Sequence, residues 1–168
     1  PGDHQAENSL TAAVALHRLG FSPEQIHTGI RQTRWPGRLE IIRRQPLTYL
    51  DGAHNPSAAL RLAHFIQRHF AGREIWLVFG VMRDKAVEQI TSILFPLANR
   101  VILTRANQPR ALEPELIGPY TATQSVPEAL QLLQAAPPEA VIFITGSLFV
   151  VGEALQSADL YNKESNAV

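Results

Sequence analysis

Hydrophobic positions along this chain change their spacing near residue 36, and that change divides the sequence. Before it, Leu10, Val14 and Leu16 recur at helical intervals within residues 8–19, and Gly20 stops the run. Ser22-Pro23-Glu24 then offers an N-cap and a proline at the first helical position, opening a second helix with Ile26 and Ile30 on one side. Trp35-Pro36-Gly37 breaks the pattern.

Beyond the break, short apolar runs alternate with amphipathic ones. Residues 39–42 and 47–50 read as strands joined around Pro46, and the helix after Pro56 carries Ala59, Leu62, Ala63, Ile66 and Phe70 on one face. Residues 75–79, 101–103 and 141–144 are continuous β-branched or aromatic runs without polar alternation, the pattern of strands buried on both faces of a parallel sheet. Ala86, Val87, Ile90, Ile93, Leu94 and Leu97 stand at helical spacing, as do Val126, Ala129, Leu130 and Leu133. A short helix over 112–117, a short strand over 120–123, a last helix over 147–155 and a frayed polar tail over 157–168 complete the reading. Strand followed by helix, repeated, predicts an α/β doubly wound domain.

Composition narrows the class. The 168 residues, 45% of them hydrophobic, suffice for one compact domain with an appendage. Fifteen basic against fifteen acidic side chains give no net charge, and with no aromatic-basic cluster this argues against nucleic-acid or membrane-surface binding. The absence of cysteine excludes a disulfide scaffold and a cysteine-ligated metal centre. No apolar run approaches the ~18 residues of a membrane span, and the first residues do not resemble a signal peptide, so a cytoplasmic protein is expected. The chain opens on a Pro1-Gly2 turn without an initiator methionine, and is expected to have been cut from something longer.

In open parallel sheets, ligands bind beyond the carboxyl ends of the strands. That rule selects Asp51-Gly52-Ala53-His54-Asn55-Pro56, Gly80-Val81-Met82-Arg83-Asp84-Lys85, Thr104-Arg105-Ala106-Asn107 and Thr145-Gly146-Ser147. In the first, Asp51 could accept both hydroxyls of a ribose and His54 and Asn55 could donate to a phosphate; equally, Asp51 or Asn55 could serve only as a helix cap. In the second, a cationic lip for a phosphate or dicarboxylate stands against Asp84 as an N-cap with Arg83 and Lys85 solvated. Ser147 could approach a ligand at a helix start or simply cap that helix. The histidines His4, His17, His27, His54, His64 and His69 show no recognised ligand spacing, so no metal site is expected from this chain. There is no GxxxxGK[ST] loop, no GxGxxG fingerprint and no GxSxG elbow.

Several segments taken together carry a resemblance. They are His4-Gln5-x-x-Asn8-x-Leu10-x-Ala12-Ala13, Trp35-Pro36-Gly37-Arg38-Leu39-Glu40, Leu50-Asp51-Gly52-Ala53-His54-Asn55-Pro56, Phe79-Gly80 with Asp84-Lys85, and Thr145-Gly146-Ser147 followed by Leu148-Phe149-Val150-Val151-Gly152-Glu153. In order and spacing they resemble the folylpolyglutamate synthase / dihydrofolate synthase family, within the Mur ligase group of ATP-dependent amide-forming enzymes. The resemblance implies a Rossmann-like carboxy-terminal domain from Pro36 to residue 168, with a mainly parallel sheet and flanking helices. Residues 1–35 would be the last helices of an ATPase domain whose P-loop and magnesium ligands lie outside this chain.

The activity so implied is ATP-dependent addition of L-glutamate to dihydropteroate or a folate through an acyl phosphate, with Mg2+ as the metal. Carried over by motif, Gln5 and Asn8 would face the adenine, Arg38 would reach the phosphates, Asp51 would take the ribose, and His54 would stand beside the nucleotide. Asn55, Lys85 and Ser147 match loops that hold the amino acid in related Mur ligases. Without its P-loop domain the fragment is expected to be inactive. The competing expectation is a stand-alone α/β module that binds a nucleotide or amino acid without ligase activity.

Overall fold

The computed structural model describes residues 3–33 and 35–164, with side chains over 5–33 and 35–157. The opening Pro1-Gly2 turn, the His4 side chain and the last residues of the expected polar tail, 165–168, lie outside the described residues. Two helices come first, α1 (Asp3–Arg18) and α2 (Pro23–Gln32). α2 opens as its sequence predicts: Ser22 accepts from the Gln25 backbone N–H while the Gln25 side chain accepts from the Ser22 N–H, a complete capping box.

The remainder alternates strand and helix: β1 (Glu40–Arg44), β2 (Leu47–Leu50), α3 (Pro56–Phe70), β3 (Ile75–Phe79), α4 (Val87–Leu94), β4 (Arg100–Leu103), β5 (Thr121–Ala122), α5 (Val126–Leu132), β6 (Val141–Thr145) and α6 (Leu148–Glu164). The strands form one sheet in the order β1-β2-β6-β3-β4-β5. Every pairing is parallel except β1 with β2, a hairpin whose register shifts between Ile41 and Arg43. The expected helix over 112–117 is a single 3₁₀ turn, Pro114–Leu116. The last helix runs through Glu164, beyond the expected end at 155: its final turns are polar, so hydrophobic periodicity gave no sign of them.

Period-two alternation in the central strands sorts side chains between two layers. Trp76, Val78, Ile102, Ile142 and Ile144 pack with α5 and α6 through Val126, Ala129, Leu130, Val150 and Ala154. Tyr49, Leu77, Phe79, Leu103 and Phe143 pack with α3 and α4 through Ala59, Leu62, Ile66, Ile90 and Leu94. Both faces of the sheet are therefore covered, as the uninterrupted apolar runs require.

Parallel pairing brings the carboxyl ends of β2, β6, β3 and β4 to one edge. Backbone bonds tie the emerging loops together: Gly146 N–H to Ala53 O (3.0 Å), Gly80 N–H to Thr145 O (3.2 Å) and Thr104 N–H to Phe79 O (2.9 Å). Among the described residues no helix is long and apolar enough to cross a membrane.

Candidate functional site

Arg38 sits in a turn held from both sides. Its neighbours Gly37 and Leu39 both adopt left-handed backbone, with φ 68° and 48°. For a leucine that conformation costs about 1–3 kcal/mol and persists only where the surroundings enforce it. Here the enforcement is visible. The Leu39 N–H donates to Asp51 Oδ2 at 3.1 Å, the Gly37 N–H donates to Glu40 Oε2 at 2.7 Å, and the Gly52 N–H donates to the Gly37 carbonyl at 2.8 Å. Leu39 is itself buried, and a side chain at Gly37 would run into Val151 of α6.

Asp51 ends β2 and is 7% exposed. Its second oxygen accepts the Ala53 N–H at 3.0 Å, so the carboxylate joins residue 39 to residue 53 across the strand end. Helix capping falls to Asn55, whose Oδ1 accepts the Ala58 N–H at 2.9 Å at the start of α3. His54 Nδ1 lies 2.8 Å from the Gly52 carbonyl; a carbonyl only accepts, so Nδ1 carries the hydrogen and Nε2 is left for a ligand.

Six of the eight residues singled out in the sequence line one cleft of about 1010 Å3: Gln5, Asn8, Arg38, Asp51, His54 and Asn55. One wall is α1, where Gln5 Oε1 accepts from Asn8 Nδ2 at 3.4 Å. The other is the start of α3. The turn 36–40 forms the floor. Both carboxylates of the cleft, Glu40 and Asp51, are engaged by backbone N–H groups, whereas Arg38 makes no hydrogen bond or ion pair with the described residues.

Lys85 and Ser147 lie outside that lining, on the loops after β3 and β6. Ser147 is buried and its Oγ accepts the Phe149 N–H at 3.1 Å, capping the start of α6. Lys85 Nζ stands 3.1 Å from Asp84 Oδ2, and Arg110 reaches the other oxygen at 3.6 Å. The Lys85 hydrogen bond, with the charges of Lys85 and Arg110 behind it, holds the Asp84 carboxyl below the usual carboxylate range.

Two expectations for this loop are corrected. Asp84 caps nothing, because α4 begins at Val87 and its N-cap position is Ala86, with no side-chain cap. Nor is Arg83 free in solvent: its guanidinium donates to the carbonyls of Ala111 (3.0 Å) and Pro109 (2.9 Å), fastening the loop to residues 109–111.

Sequence reasoning missed Trp35, Ser57 and Arg61 as lining residues of the cleft. Ser57 and Arg61 are one helical turn apart on α3, beside the buried stripe of Ala59, Leu62, Ala63 and Ile66. Lying beside that stripe, neither side chain carries a sequence signal that separates a cleft residue from a solvated one. Among the described residues no three His, Asp or Glu side chains gather as a metal would need.

Comparison with known proteins bears on this geometry. Residues 37–148 match the family described as Mur ligase, glutamate ligase domain. The probable bifunctional folylpolyglutamate synthase/dihydropteroate synthase of Haloferax volcanii is 35% identical over 165 residues, covering 91% of this chain and 20% of that protein. The dihydrofolate synthase/folylpolyglutamate synthase of Bacillus subtilis is 27% identical over 165 residues, covering 90% of this chain and 38% of that protein. Among solved structures, Mycobacterium tuberculosis folylpolyglutamate synthase complexed with ADP and AMPPCP superposes with a TM-score of 0.82 at 28% identity, over 94% of this chain and 40% of that one. The chain thus spans 20% to 40% of the length of these relatives.

Proposed function

Because the chain belongs to the Mur ligase, glutamate ligase domain family, we propose that it is the carboxy-terminal part of an ATP-dependent ligase that joins L-glutamate to dihydropteroate or a folate. Residues 36–168 are the glutamate ligase domain in this reading, and residues 1–35 are the last helices of the ATPase domain. The P-loop, for which this sequence has no GxxxxGK[ST] segment, belongs to the remainder of the ligase.

The observation that carries the reading is the cleft between α1 and α3, where the two amides, the guanidinium, the carboxylate and the imidazole expected of a nucleotide site converge. Gln5 and Asn8 face the base, since amides both donate and accept on one edge. Asp51, its carboxylate fixed at the end of β2 by two backbone N–H groups, accepts the ribose hydroxyls. Arg38, unpaired and rigidly based, meets the phosphates. The carboxylate substrate attacks the γ-phosphorus of ATP, releasing ADP; the glutamate amine then attacks the acyl carbon and phosphate leaves. Arg38 contributes by meeting charge that builds on the transferring phosphoryl group, and His54 orients the nucleotide through Nε2.

Among the described residues no three His, Asp or Glu side chains gather as a magnesium site would need. The metal ligands accordingly belong to the P-loop region. For the incoming glutamate, Lys85 supplies a cation, while Asn55 and Ser147 mark helix starts whose N–H groups favour a carboxylate. Use of ATP and folate fits a cytoplasmic protein.

The test is made on the ligase that includes this segment together with a P-loop. ADP release that requires both L-glutamate and a dihydropteroate or folate acceptor is the expected result. Nucleotide binding with no glutamate-dependent ADP release would favour a binding module instead.

A further inference from the structure

Arg61 is a second guanidinium in the cleft, and nothing in the sequence motifs points to it. It belongs to α3, six residues beyond the Asn55 cap and one turn beyond Ser57, and lines the cleft together with the polar residues of α1. Like Arg38, it makes no hydrogen bond or ion pair with the described residues. The other arginine of that helix, Arg68, does have a partner, and it does not line the cleft.

The charge balance of the lining gives this meaning. Glu40 and Asp51 also line the cleft and accept backbone N–H groups, and neither is paired with Arg38 or Arg61. The cleft thus holds two guanidiniums whose N–H donors are unspent. A planar fork of N–H donors suits an oxyanion with several oxygens, and two such forks across one opening suit a polyanion better than a single carboxylate. We infer that Arg61 is an oxyanion-binding residue of the cleft, pairing with the polyphosphate of the bound nucleotide and acting in its capture, while Arg38 acts on the transferring group.

This rests on the nucleotide reading of the cleft, but the two fail separately. The experiment is a titration of the 15N-labelled chain at constant ionic strength with tripolyphosphate, ADP, adenosine and L-glutamate, following arginine side-chain Nε–H and backbone resonances. The Arg61 Nε–H signal should move with tripolyphosphate and ADP and stay still with adenosine. Arg61→Ala should weaken tripolyphosphate and ADP binding about tenfold, the usual effect of losing a charge-assisted hydrogen bond, and Arg61→Lys should fall between. Arg31→Ala removes the same charge from α2 outside the lining and should have little effect.

Since Arg61 is exposed and alanine is a better helix former, Arg61→Ala leaves the fold intact. Movement with L-glutamate in place of tripolyphosphate would keep the oxyanion role and identify a carboxylate as its source. An Arg61 signal that ignores all three anions at millimolar concentration overturns the inference, as does equal weakening by Arg61→Ala and Arg31→Ala. If Gln5 and Asn8 ignore adenosine and ADP while Arg61 follows tripolyphosphate, the nucleotide reading fails and the anion site stands.

Discussion

The backbone N–H of Leu39 donates to Oδ2 of Asp51 at 3.1 Å, and Leu39 holds a left-handed φ of 48°. One carboxylate therefore fixes the turn that carries Arg38 and, through its other oxygen, the start of the loop that carries His54. Asp51→Ala leaves two buried N–H groups unpaired, and should cost about 1–3 kcal/mol of stability in urea denaturation. Asp51→Asn should be little better, because an amide presents one acceptor and turns its NH2 toward the other N–H. In the full ligase both variants should raise the ATP requirement. An unchanged urea midpoint with normal amide-exchange protection at Leu39 and Ala53 would remove Asp51 from this role.

Arg38→Ala should leave stability unchanged, since the side chain has no partner among the described residues to lose. Turnover of the full ligase should drop by about 10²–10³-fold, the usual effect of removing a donor that stabilises transition-state charge, with a much smaller change in the KM for ATP. A rise in KM at constant kcat would mean that Arg38 binds ground state and transition state alike.

Gly146 stands at φ 99° directly after β6, where an added Cβ would lie 2.5 Å from the Gly80 carbonyl oxygen and 2.8 Å from the Phe79 ring. Neither neighbour can retreat, one being backbone and the other a fully buried side chain. Gly146→Ala should destabilise by about 2–4 kcal/mol, combining overpacking with a strained backbone. The measurement is the denaturation midpoint at constant m-value.

The fold and the cleft were legible to different degrees, for identifiable reasons. Residues 75–79, 101–103 and 141–144 announced a parallel sheet because strands covered on both faces need no polar alternation, and all three are buried in its centre. The hairpin around Pro46 was legible too, but β1 runs over Glu40–Arg44 and not 39–42, because its end is marked by Arg43 and Arg44 and its apolar Ile41 is exposed. Helix ends were misread where they are polar, at Asp3 and at Glu164, because hydrophobic spacing carries no information there. In the cleft, motif residues near strand ends could be found from sequence. Arg61 could not, since an exposed helical arginine looks the same whether it faces solvent or a ligand.

Tyr49 gives the chain an alkaline limit. Its ring stacks on Phe143 at 5.2 Å and meets Phe65 and Phe70, each at 5.7 Å, and burial pushes the phenol above its ordinary value of 10.0. The folded state then holds this proton more tightly than the unfolded state, so the contribution to stability is full below pH 10 and is lost as pH rises through the folded value. Tyr49→Phe should remove that part of the alkaline loss. The difference in unfolding free energy between the two proteins should be flat up to about pH 9 and shift in favour of the Phe variant above it; a difference that stays flat at higher pH would refute the burial argument.

Lys85 separates two roles for the loop after β3. Its ion pair with Asp84 is between solvent-exposed groups, 32% and 47% accessible, and solvent screening leaves such pairs with little net contribution. Releasing the lysine to a ligand therefore costs little. If it receives a glutamate carboxylate, Lys85→Ala should raise the KM for glutamate about tenfold in the full ligase without changing that for ATP. Asp84→Ala should leave the glutamate KM unchanged or lower it, because the competing carboxylate is gone. If Lys85 instead only anchors the loop through Asp84, the two variants should behave alike. Arg83 keeps the loop fastened to residues 109–111 in both, so loss of the Asp84 pair alone does not set it loose. A glutamate KM that rises equally in Lys85→Ala and Asp84→Ala would thus take Lys85 out of the glutamate site.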